Sequence, residues 1–219
     1  MAEHHEAEEL IEERAERLSR LTRQLQVLSD ANQLMVRVNS EKELLDGVCR
    51  ILVEEGHYKF AWIGFAEKDR SRTVKPVTRH GEDKGYLDKI RLSWGDNKYG
   101  SGPVGVSLRT LEPRVIRSTE YDSGFKPWKK EALERGFRSA AFLPFGSPEK
   151  EPFGSLNIYS SEIDVFDEEA MRVLTELAED LFFGITALRN SRELEKAKKS
   201  LEHLFGVLSA VRGINQLLT

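Results

Sequence analysis

The stretch Phe153-Gly154-Ser155-Leu156-Asn157-Ile158-Tyr159 alternates between two kinds of side chain, as a β-strand with one face on an aliphatic core does. An apolar run at residues 139–145 precedes it, and the turn-rich residues 146–151 separate the two. This arrangement predicts a β-hairpin. If helices cover the side that carries Leu156 and Ile158, the side that carries Ser155, Asn157 and Tyr159 faces a pocket.

A helix and a second hairpin are predicted upstream of this one. Ser40 and Glu43 have the spacing of a capping box, and the apolar positions that follow recur at helical spacing until Gly56. Residues 58–66 then form an apolar run and residues 73–80 alternate, which predicts the hairpin.

The segment between the hairpins is rich in turn signals. Residues 81–102 predict turns with a short strand at residues 90–94. Pro103 in a first helical turn predicts a short helix to about Thr110, followed by a strand at residues 112–116. Pro127 predicts another short helix, and Asp167 is expected to cap a long final helix.

Heptad seams, stripes that step alternately by three and four residues, mark both ends of the chain. The N-terminal seam is Leu18, Leu21, Leu25, Leu28, Asn32 and Met35, and the C-terminal seam is Leu194, Ala197, Leu201, Leu204, Leu208, Val211, Asn215 and Leu218. An Asn in such a seam favours a parallel, in-register pair of helices. We therefore expect a parallel homodimer; the alternative is that these helices fold back on their own domain.

The seams also predict the domain organisation. Residues 1–39 are expected to form a signalling helix, residues 40–191 a globular domain, and residues 192–219 a linker helix. Asn32-Gln33-Leu34 recurs as Asn215-Gln216-Leu217, so the last helix resembles the start of another unit. We expect further signalling domains in the same polypeptide.

Composition limits the classes of function. The chain has 33 Lys and Arg against 37 Asp and Glu, a net charge of −4, so no nucleic-acid partner is expected. No apolar stretch is long enough to span a bilayer, and the N-terminus lacks the pattern of a secretory signal, so no membrane contact is expected. A single cysteine, Cys49, fits a soluble cytoplasmic protein and, on its predicted helix, a small buried hydrophobe.

The order of elements from residue 40 to residue 191 resembles a GAF domain, the ligand-sensing module of bacterial histidine kinases and diguanylate cyclases. The runs that carry the resemblance are Ala61-Trp62-Ile63-Gly64, residues 102–110 with Glu112-Pro113, residues 127–133, Gly136-Phe137-Arg138-Ser139, Leu143-Pro144 and residues 153–159. The resemblance implies an α+β fold. It has an antiparallel sheet of five or six strands, with the first and last helices on one face and a pocket on the other.

Several versions of this family use chemistry that the chain lacks. Its free methionine-sulfoxide reductases use pocket cysteines, and its tetrapyrrole-binding members attach the chromophore to a cysteine within the region that corresponds to residues 81–138, where this chain has none. The Asn-Lys-Phe-Asp-Glu signature of its cyclic-nucleotide members is absent. A haem version needs one axial histidine, for which His80 is the candidate. The alternative for His80 is a solvated turn histidine, and we expect no haem.

Candidate ligand-binding residues follow from the two predicted sheet faces. They are Trp62, Tyr58, Arg109, Ser155, Asn157 and Tyr159. Tyr58, Phe60 and Trp62 share one face of the first strand, an aromatic surface that suits a small molecule and equally an ordinary core. Arg109 could pair with an anionic ligand, although a structural ion pair with an acid such as Asp122 is favoured.

A possible anion site lies just before the predicted short helix at Pro103. Residues 100–102, Gly-Ser-Gly, could offer amides to an anion at a helix N-terminus, but a turn and helix start is favoured.

The sequence therefore predicts a non-catalytic sensory module that binds an unknown small cytoplasmic ligand and signals to an output domain through parallel helices. Two alternatives are a dimerising spacer without a ligand and a haem-based gas or redox sensor. An enzyme is not expected, because no nucleophile and base can be paired from the residues present.

Overall fold

Helices cover one face of an antiparallel sheet. The computed structural model describes residues 2–147 and 151–217 of the chain. Its long helices are α1 (Ala2–Arg37), α2 (Glu41–Glu54) and α6 (Glu168–Leu217), and its short helices are α3 (Tyr86–Lys89), α4 (Pro103–Thr110) and α5 (Lys129–Glu134). Its strands are β1 (Phe60–Ala66), β2 (Val74–Gly81), β3 (Arg114–Ile116), β4 (Ser139–Gly146) and β5 (Pro152–Ser160).

The described residues form a five-stranded sheet with the order β2-β1-β5-β4-β3, and each pair of neighbouring strands is antiparallel. Strands β1 and β5 lie side by side at its centre, where Trp62 is opposite Asn157 and Phe60 is opposite Tyr159. The α+β class and the strand count agree with the expectation from sequence. Both predicted hairpins, β1–β2 and β4–β5, are confirmed.

Local side-chain bonds fix the helix starts as the sequence predicts. Ser40 Oγ accepts a hydrogen bond from the backbone N–H of Glu43 at 3.3 Å, which satisfies one free amide at the start of α2. Asp167 Oδ1 accepts from the N–H of Ala170 at 2.8 Å and caps α6 in the same way.

Two cores lie on opposite faces of the sheet. The helix-side core packs α1, α2 and α6 against aliphatic strand residues that include Ala61, Ile63, Leu156 and Ile158. The other face carries a largely aromatic core, whose members include Phe60, Trp62, Tyr86, Phe125, Phe137, Phe142 and Tyr159. The alternation in β5 therefore separates Leu156 and Ile158 from Tyr159 as predicted.

Helices α1 and α6 run parallel to each other. Near the start of α6, Glu169 accepts two hydrogen bonds from Arg17 of α1, at 2.7 and 3.3 Å. Further along both helices, Met35 lies beside Gly184, where a Cβ atom would come within 3.1 Å of Leu44 and 3.5 Å of Met35. Three helices thus meet at Gly184, and α6 continues beyond the end of α1.

The first half of the connecting segment differs from the prediction. Residues 90–94 do not form a strand; among the described residues they contribute one isolated bridge, between Ser93 and Thr73. Helix α3 occupies the positions just before them. The backbone here meets the start of β2 and the turn before it: the Leu92 carbonyl accepts from the Val74 N–H at 3.1 Å, and the Trp94 N–H donates to the Arg72 carbonyl at 2.8 Å. The pairing stops there because the chain turns, with the Gly95 N–H donating to Ser93 Oγ at 3.0 Å.

The N-terminal seam divides between two environments, which corrects part of the dimer-seam prediction. Leu28 and Met35 pack against the chain's own helix-side core, together with the buried Val27 and Ala31. Leu18, Leu25 and Asn32 are exposed, while Leu21 is half-buried. The reason is that α1 lies along α6 of its own chain, so one side of the predicted stripe is covered internally.

The C-terminal seam is uncovered where its side chains are described. Leu194, Ala197, Leu201 and Leu204 are exposed, and Leu194 reaches 72% exposure. Phe183, which is 64% exposed, lies eleven positions before Leu194. The same alternation of four- and three-residue steps therefore continues from Leu194 back to Phe183, within the globular part of the chain. The side chains of Leu208, Val211 and Asn215, and Leu218 as a whole, lie outside the described residues.

Candidate ligand-binding site

Tyr159 stands at the centre of the aromatic core. Its ring centroid lies 4.8 Å from that of Phe137, 5.6 Å from Tyr86, 5.8 Å from Phe142 and 5.8 Å from Phe60. The contacts with Tyr86 and Phe142 are edge-to-face, a favourable arrangement for aromatic rings. Strand β5 therefore supplies the hub around which the face opposite the helices is built.

Residues 82–102, here named the lid, cover this aromatic core. Between the lid and the sheet is a cavity of about 10 Å³, which is room for roughly one water molecule. Its wall consists of Tyr86, Ile90, Leu92, Tyr99 and Gly102 from the lid, with Pro103, Val104, Gly105, Phe125, Trp128, Phe142 and Tyr159. A larger molecule could enter only if the lid moved.

The hydroxyls of Tyr86 and Tyr159 belong to this wall, and the indole of Trp62 lies behind it, beside Tyr159. Trp62 is fully buried, and its indole Nε1 has no hydrogen-bond partner among the described residues. It neighbours the hydroxyl of Tyr159, which in turn neighbours the hydroxyl of Tyr86. The Trp62 indole and the two hydroxyls therefore form a polar cluster within the aromatic core.

The two tyrosines are held in their neutral form. Burial raises the pKa of Tyr159 to about 12, against smaller lowering effects from the Tyr86 hydroxyl and the Trp62 indole. Burial, and then the neighbouring Tyr159, raise the pKa of Tyr86 well above its usual value. Both hydroxyls are therefore protonated at neutral pH and can donate or accept a hydrogen bond.

Arg109 holds the end of the lid. Its Nη1 donates to the carbonyl oxygens of Gly100 at 2.7 Å, Gly95 at 2.9 Å and Trp94 at 3.3 Å. The favoured ion pair with Asp122 is therefore wrong; the Asp122 carboxylate accepts from the N–H of Gly124 instead. The reason is that α4 aims Arg109 at the carbonyl-rich loop before it, so no anionic ligand is needed to explain this side chain.

Arg135 holds the beginning of the lid. Its guanidinium donates to the carbonyls of Asp83 and Lys84, at 2.8 and 3.1 Å, and pairs with Glu131 at 2.8 Å. Lys84 has a φ of 45°, a left-handed conformation that is rare for a residue with a side chain. The lid is thus fixed at both ends by an arginine that bonds to backbone carbonyls.

The start of α4 is packed rather than open to an anion. A Cβ atom on Gly102 would come within 2.3 Å of the Trp128 ring. A Cβ on Gly105 would come within 2.5 Å of the Gly100 carbonyl. These contacts support the turn and helix start that the sequence favours over an anion site.

Ser155 and Asn157 lie buried on β5 and bond mainly to each other. Ser155 Oγ donates to Asn157 Oδ1 at 2.7 Å. The Asn157 amide donates to the carbonyl of Ser155 at 3.0 Å and to that of Trp62 at 3.4 Å. Neither residue lines the cavity, so this pair braces the centre of the sheet behind Trp62.

Tyr58 does not share a face with Phe60 and Trp62, and this prediction is wrong. Its ring stacks on Phe166 at 5.5 Å, within the helix-side core. His57 has a left-handed φ of 57°, and β1 begins only at Phe60. The alternation of a strand therefore does not extend back to Tyr58.

His80 also lies on the helix side of the sheet and not at the mouth of a pocket. Its Nε2 is 3.1 Å from Glu54 Oε1 of α2, and on β1 it is opposite Ala61, a residue of the helix-side core. The groove beside it, of about 580 Å³, is lined by Leu34, Val38, Glu43, Asp46, Gly47, Arg50 and Arg79 as well. His80 does not face the aromatic cavity.

Cys49 is buried in the helix-side core, on α2. Burial, and then the nearby Asp46, raise the pKa of its thiol far above its usual value. A reactive thiol is a thiolate with access to solvent, and Cys49 is neither. The described residues contain no cluster of three or more His, Cys, Asp or Glu side chains placed to hold a metal ion.

Sequence reasoning missed the lid's contribution to the site. Tyr86, which caps the aromatic core from the lid, lies in the segment expected to be turns. Phe137 carried a signal, because it belongs to one of the quoted family runs and is fully buried. Phe142 had the alternation of β4 but was not named as a site residue.

A family model for the GAF domain matches residues 38–186. The free methionine-R-sulfoxide reductase from Neisseria meningitidis, solved in complex with its substrate, is 19% identical with a TM-score of 0.64, covering 77% of this chain and 91% of its own. No curated protein sequence matches the chain.

Two solved GAF domains are similar as well. The one from a phosphoenolpyruvate-protein phosphotransferase of Coxiella burnetii is 19% identical with a TM-score of 0.64, covering 79% of this chain and 98% of its own. The nlh2 GAF domain of A. aeolicus, in an inactive state, is 16% identical with a TM-score of 0.57, covering 77% and 98%. At such identities these neighbours show a shared fold. Within the part of the chain that the structure describes, no helix has the length and apolar character needed to cross a bilayer.

Proposed function

Since the chain belongs to the GAF family, we propose that it is a non-catalytic sensory module. A small cytoplasmic molecule binds in the aromatic cavity, and the bound state is passed through the parallel helices to an output domain of the kind found in histidine kinases and diguanylate cyclases. The observation that carries the proposal is the aromatic cavity itself, whose apolar wall carries two tyrosine hydroxyls, those of Tyr86 and Tyr159.

The sheet supplies a short physical path from cavity to helices. In β1, Trp62 belongs to the aromatic core, while its neighbours Ala61 and Ile63 belong to the helix-side core. A displacement of β1 at Trp62 therefore reaches α2 and α6 through one layer of packed side chains. In this proposal residues 40–191 form the globular module, and α1 packs on its helix side. Helix α6 leaves the module and continues into the linker helix of residues 192–219.

We infer that the protein is not a sulfoxide reductase from the number and position of its cysteines. The chain has a single thiol, Cys49, and it lies on the far side of the sheet from the cavity. Free methionine-R-sulfoxide should therefore not be reduced by this protein. Ellman's reagent should leave Cys49 unmodified in the native protein and react only after unfolding; turnover of the sulfoxide, or rapid labelling, would contradict this part.

The homodimer is proposed from the exposed stripe on α6, Phe183, Ala187, Asn190, Leu194, Ala197, Leu201 and Leu204. Its four large apolar members are at least 54% exposed, which is an apolar surface that a second parallel copy would cover. The exposed Leu18, Leu25 and Asn32 of α1 add to that surface. In this arrangement the ligand state of two cavities would act on one pair of exit helices.

Native mass spectrometry of protein purified from its source organism tests the proposal. We expect a mass above that of the apo chain, and a raised Tm with the same compound added to apo protein. Tyr159→Phe, which removes a hydroxyl from the wall, should lower the occupancy, and the exposed Tyr121→Phe, away from the wall, serves as the control. An apo mass together with no shift in Tm across a metabolite panel would overturn the sensory role.

The closed cavity favours a second candidate, a dimerising spacer without a ligand. A space of about 10 Å³ holds no metabolite as it stands. The spacer predicts that the lid stays shut in solution and that Tyr159→Phe changes no signalling output. The haem-sensor alternative is supported less well, since His80 bonds to Glu54 on the opposite face of the sheet.

A further inference from the structure

We propose that a cleft between α1 and the globular module, here named the α1 cleft, binds a small oxyanion, a phosphate or carboxylate group, through Arg20, Arg23 and Gln24. The α1 cleft lies on the helix side of the sheet and is separate from the aromatic cavity. It is therefore a second binding site, and it stands or falls independently of a ligand in the aromatic cavity.

Three segments of the chain meet at the α1 cleft: helix α1, the turn before β1, and the end of β5 with the residues that follow it. Helix α1 lines the cleft with Arg20, Arg23 and Gln24, the turn lines it with residues 56–58, and the third segment lines it with Ser160 and Glu162. The cleft has a volume of about 50 Å³. That is room for roughly four water-sized groups, which suits a phosphate or carboxylate group.

Two side chains in this wall are buried and have no hydrogen-bond partner among the described residues. Gln24 is 7% exposed and Tyr58 is 9% exposed, and neither the amide nor the hydroxyl bonds to another described group. The Ser160 hydroxyl accepts from the N–H of Glu162 at 3.1 Å, and its own proton has no acceptor in the described part of the chain. Polar groups buried this deeply normally have a partner, which a ligand in the cleft would supply.

The two arginines of the cleft are not committed elsewhere. Neither Arg20 nor Arg23 forms an ion pair or a hydrogen bond with another described residue. Arg17, on the same helix, is by contrast paired with Glu169 at 2.7 Å. A guanidinium presents several N–H donors in a planar fork that matches the oxygens of a phosphate or carboxylate. Arg20 and Arg23 would therefore balance the charge of the anion.

Two carboxylates lie near the cleft and bear on its preference. Asp167 is occupied, because it caps α6 by accepting from the N–H of Ala170 at 2.8 Å. Glu162 lines the cleft and would oppose an anion, but it faces two arginines. Burial, and then Asp167, raise the pKa of Tyr58, while Arg23 lowers it. Tyr58 therefore stays a neutral hydroxyl that can donate to an anion.

An anion bound in the α1 cleft would join α1 to the globular module. Its oxygens would contact α1 through the two arginines and Gln24, and the module through Tyr58 and Ser160. The site lies next to the pair formed by Arg17 and Glu169, near the start of α6. Occupancy would thus strengthen the docking of α1 at the place where it begins to run along α6.

Inorganic phosphate and acetate are the probes that test this site. Each is added to the ¹⁵N-labelled intact chain at constant ionic strength, with sodium chloride as the reference salt, because charge screening alone affects exposed arginines. NMR follows the backbone amide of Gly56 and the side-chain amide of Gln24, which is assigned from its loss in Gln24→Met. Hydrogen exchange in α1 is measured with and without phosphate.

We expect phosphate or acetate to shift both signals to saturation, and amide exchange to slow at residues 20–27 of α1. The tighter probe identifies the bound group as a phosphate or a carboxylate. Arg23→Gln should weaken binding about tenfold, and Arg20→Gln, at an exposed position, should weaken it as well. Glu162→Gln should tighten binding about threefold, because it removes the opposing charge.

Arg37→Gln is the matched control, since it removes the same charge from an exposed position of the same helix, about 21 Å from Arg23. It should leave binding unchanged. Shifts that sodium chloride reproduces, or equal effects of Arg23→Gln, Arg20→Gln and Arg37→Gln, would overturn the proposal.

Discussion

Arg189 of α6 donates to both carboxylate oxygens of Glu41 at the start of α2, through Nε at 2.8 Å and Nη2 at 2.6 Å. The same guanidinium lies 5.0 Å from the ring of Phe65 and 4.7 Å from that of Phe153. One side chain thus joins the exit helix, the second helix and the two central strands, at the point where α6 leaves the domain.

Arg189→Met should loosen this junction. We expect a loss of about 1 kcal/mol in the free energy of unfolding, because the pair is partly exposed and the cation–π contacts add a similar small amount. Urea denaturation measures the loss, and hydrogen exchange should rise in the first turn of α2. Lys196→Met is the control, since the partner of Lys196 among the described residues is Glu193, within α6. Equal effects of the two variants would contradict the prediction.

Arg109→Gln should free the end of the lid. A glutamine cannot reach all three carbonyls, so amide exchange should quicken at residues 94–100 and stability should fall by about 1–3 kcal/mol. Arg70→Gln, at an exposed position, is the control; unchanged exchange in Arg109→Gln would show that the lid is held by other contacts.

Acid should weaken the contact between α2 and β2. Burial alone raises the pKa of Asp46, but hydrogen bonds from Lys42 and Thr78 lower it by more. Its folded pKa is therefore depressed, so its stabilising effect is present above the unfolded pKa of about 3.9 and is lost as the pH falls through the folded value.

Asp46→Asn checks this effect. Between pH 6 and pH 3 the variant should lose less stability than the wild type, by at most about 1 kcal/mol, because the carboxylate is partly exposed. Urea denaturation at both pH values measures the difference, with the exposed Asp96→Asn as the control. A variant as sensitive to acid as the wild type would remove Asp46 from the explanation.

The helix-mediated dimer predicts a change in mass when the stripe is charged. The combined substitution Leu194→Lys and Leu201→Lys should convert a dimer into a monomer of about 25 kDa in light scattering at micromolar concentration, because it places charge in the proposed interface. Lys198→Ala is the control. A wild-type monomer would refute the dimer, and a dimer unaffected by the double substitution would place the interface elsewhere.

Local signals account for what the sequence predicted correctly. Ser40 and Asp167 cap helices through bonds to residues three positions away, and the alternation in β5 separates Leu156 from Tyr159 without reference to the rest of the fold. The family runs contributed the order of the elements. Such features depend on residues that are close together in the chain.

The errors concern contacts that no local pattern encodes. Arg109 bonds to loop carbonyls, and any residue type can supply a carbonyl, so composition could not reveal its partners. Tyr58 lies on the helix side because β1 begins only at Phe60, so the alternation of the strand does not reach it. Leu28 and Met35 satisfy a coiled-coil repeat and an internal core equally well, and only the tertiary position of α6 decides between them.

A long part of α6 extends beyond Gly184, where the helix contacts α1 and α2. There α6 lies beside Met35 and Leu44, and beyond Gly184 the helix runs about 50 Å to Leu217 at about 1.5 Å per residue. If α6 tilted by about 5° about Gly184, its far end would move by about 4 Å. That displacement is most of the pitch of one helical turn, about 5.4 Å.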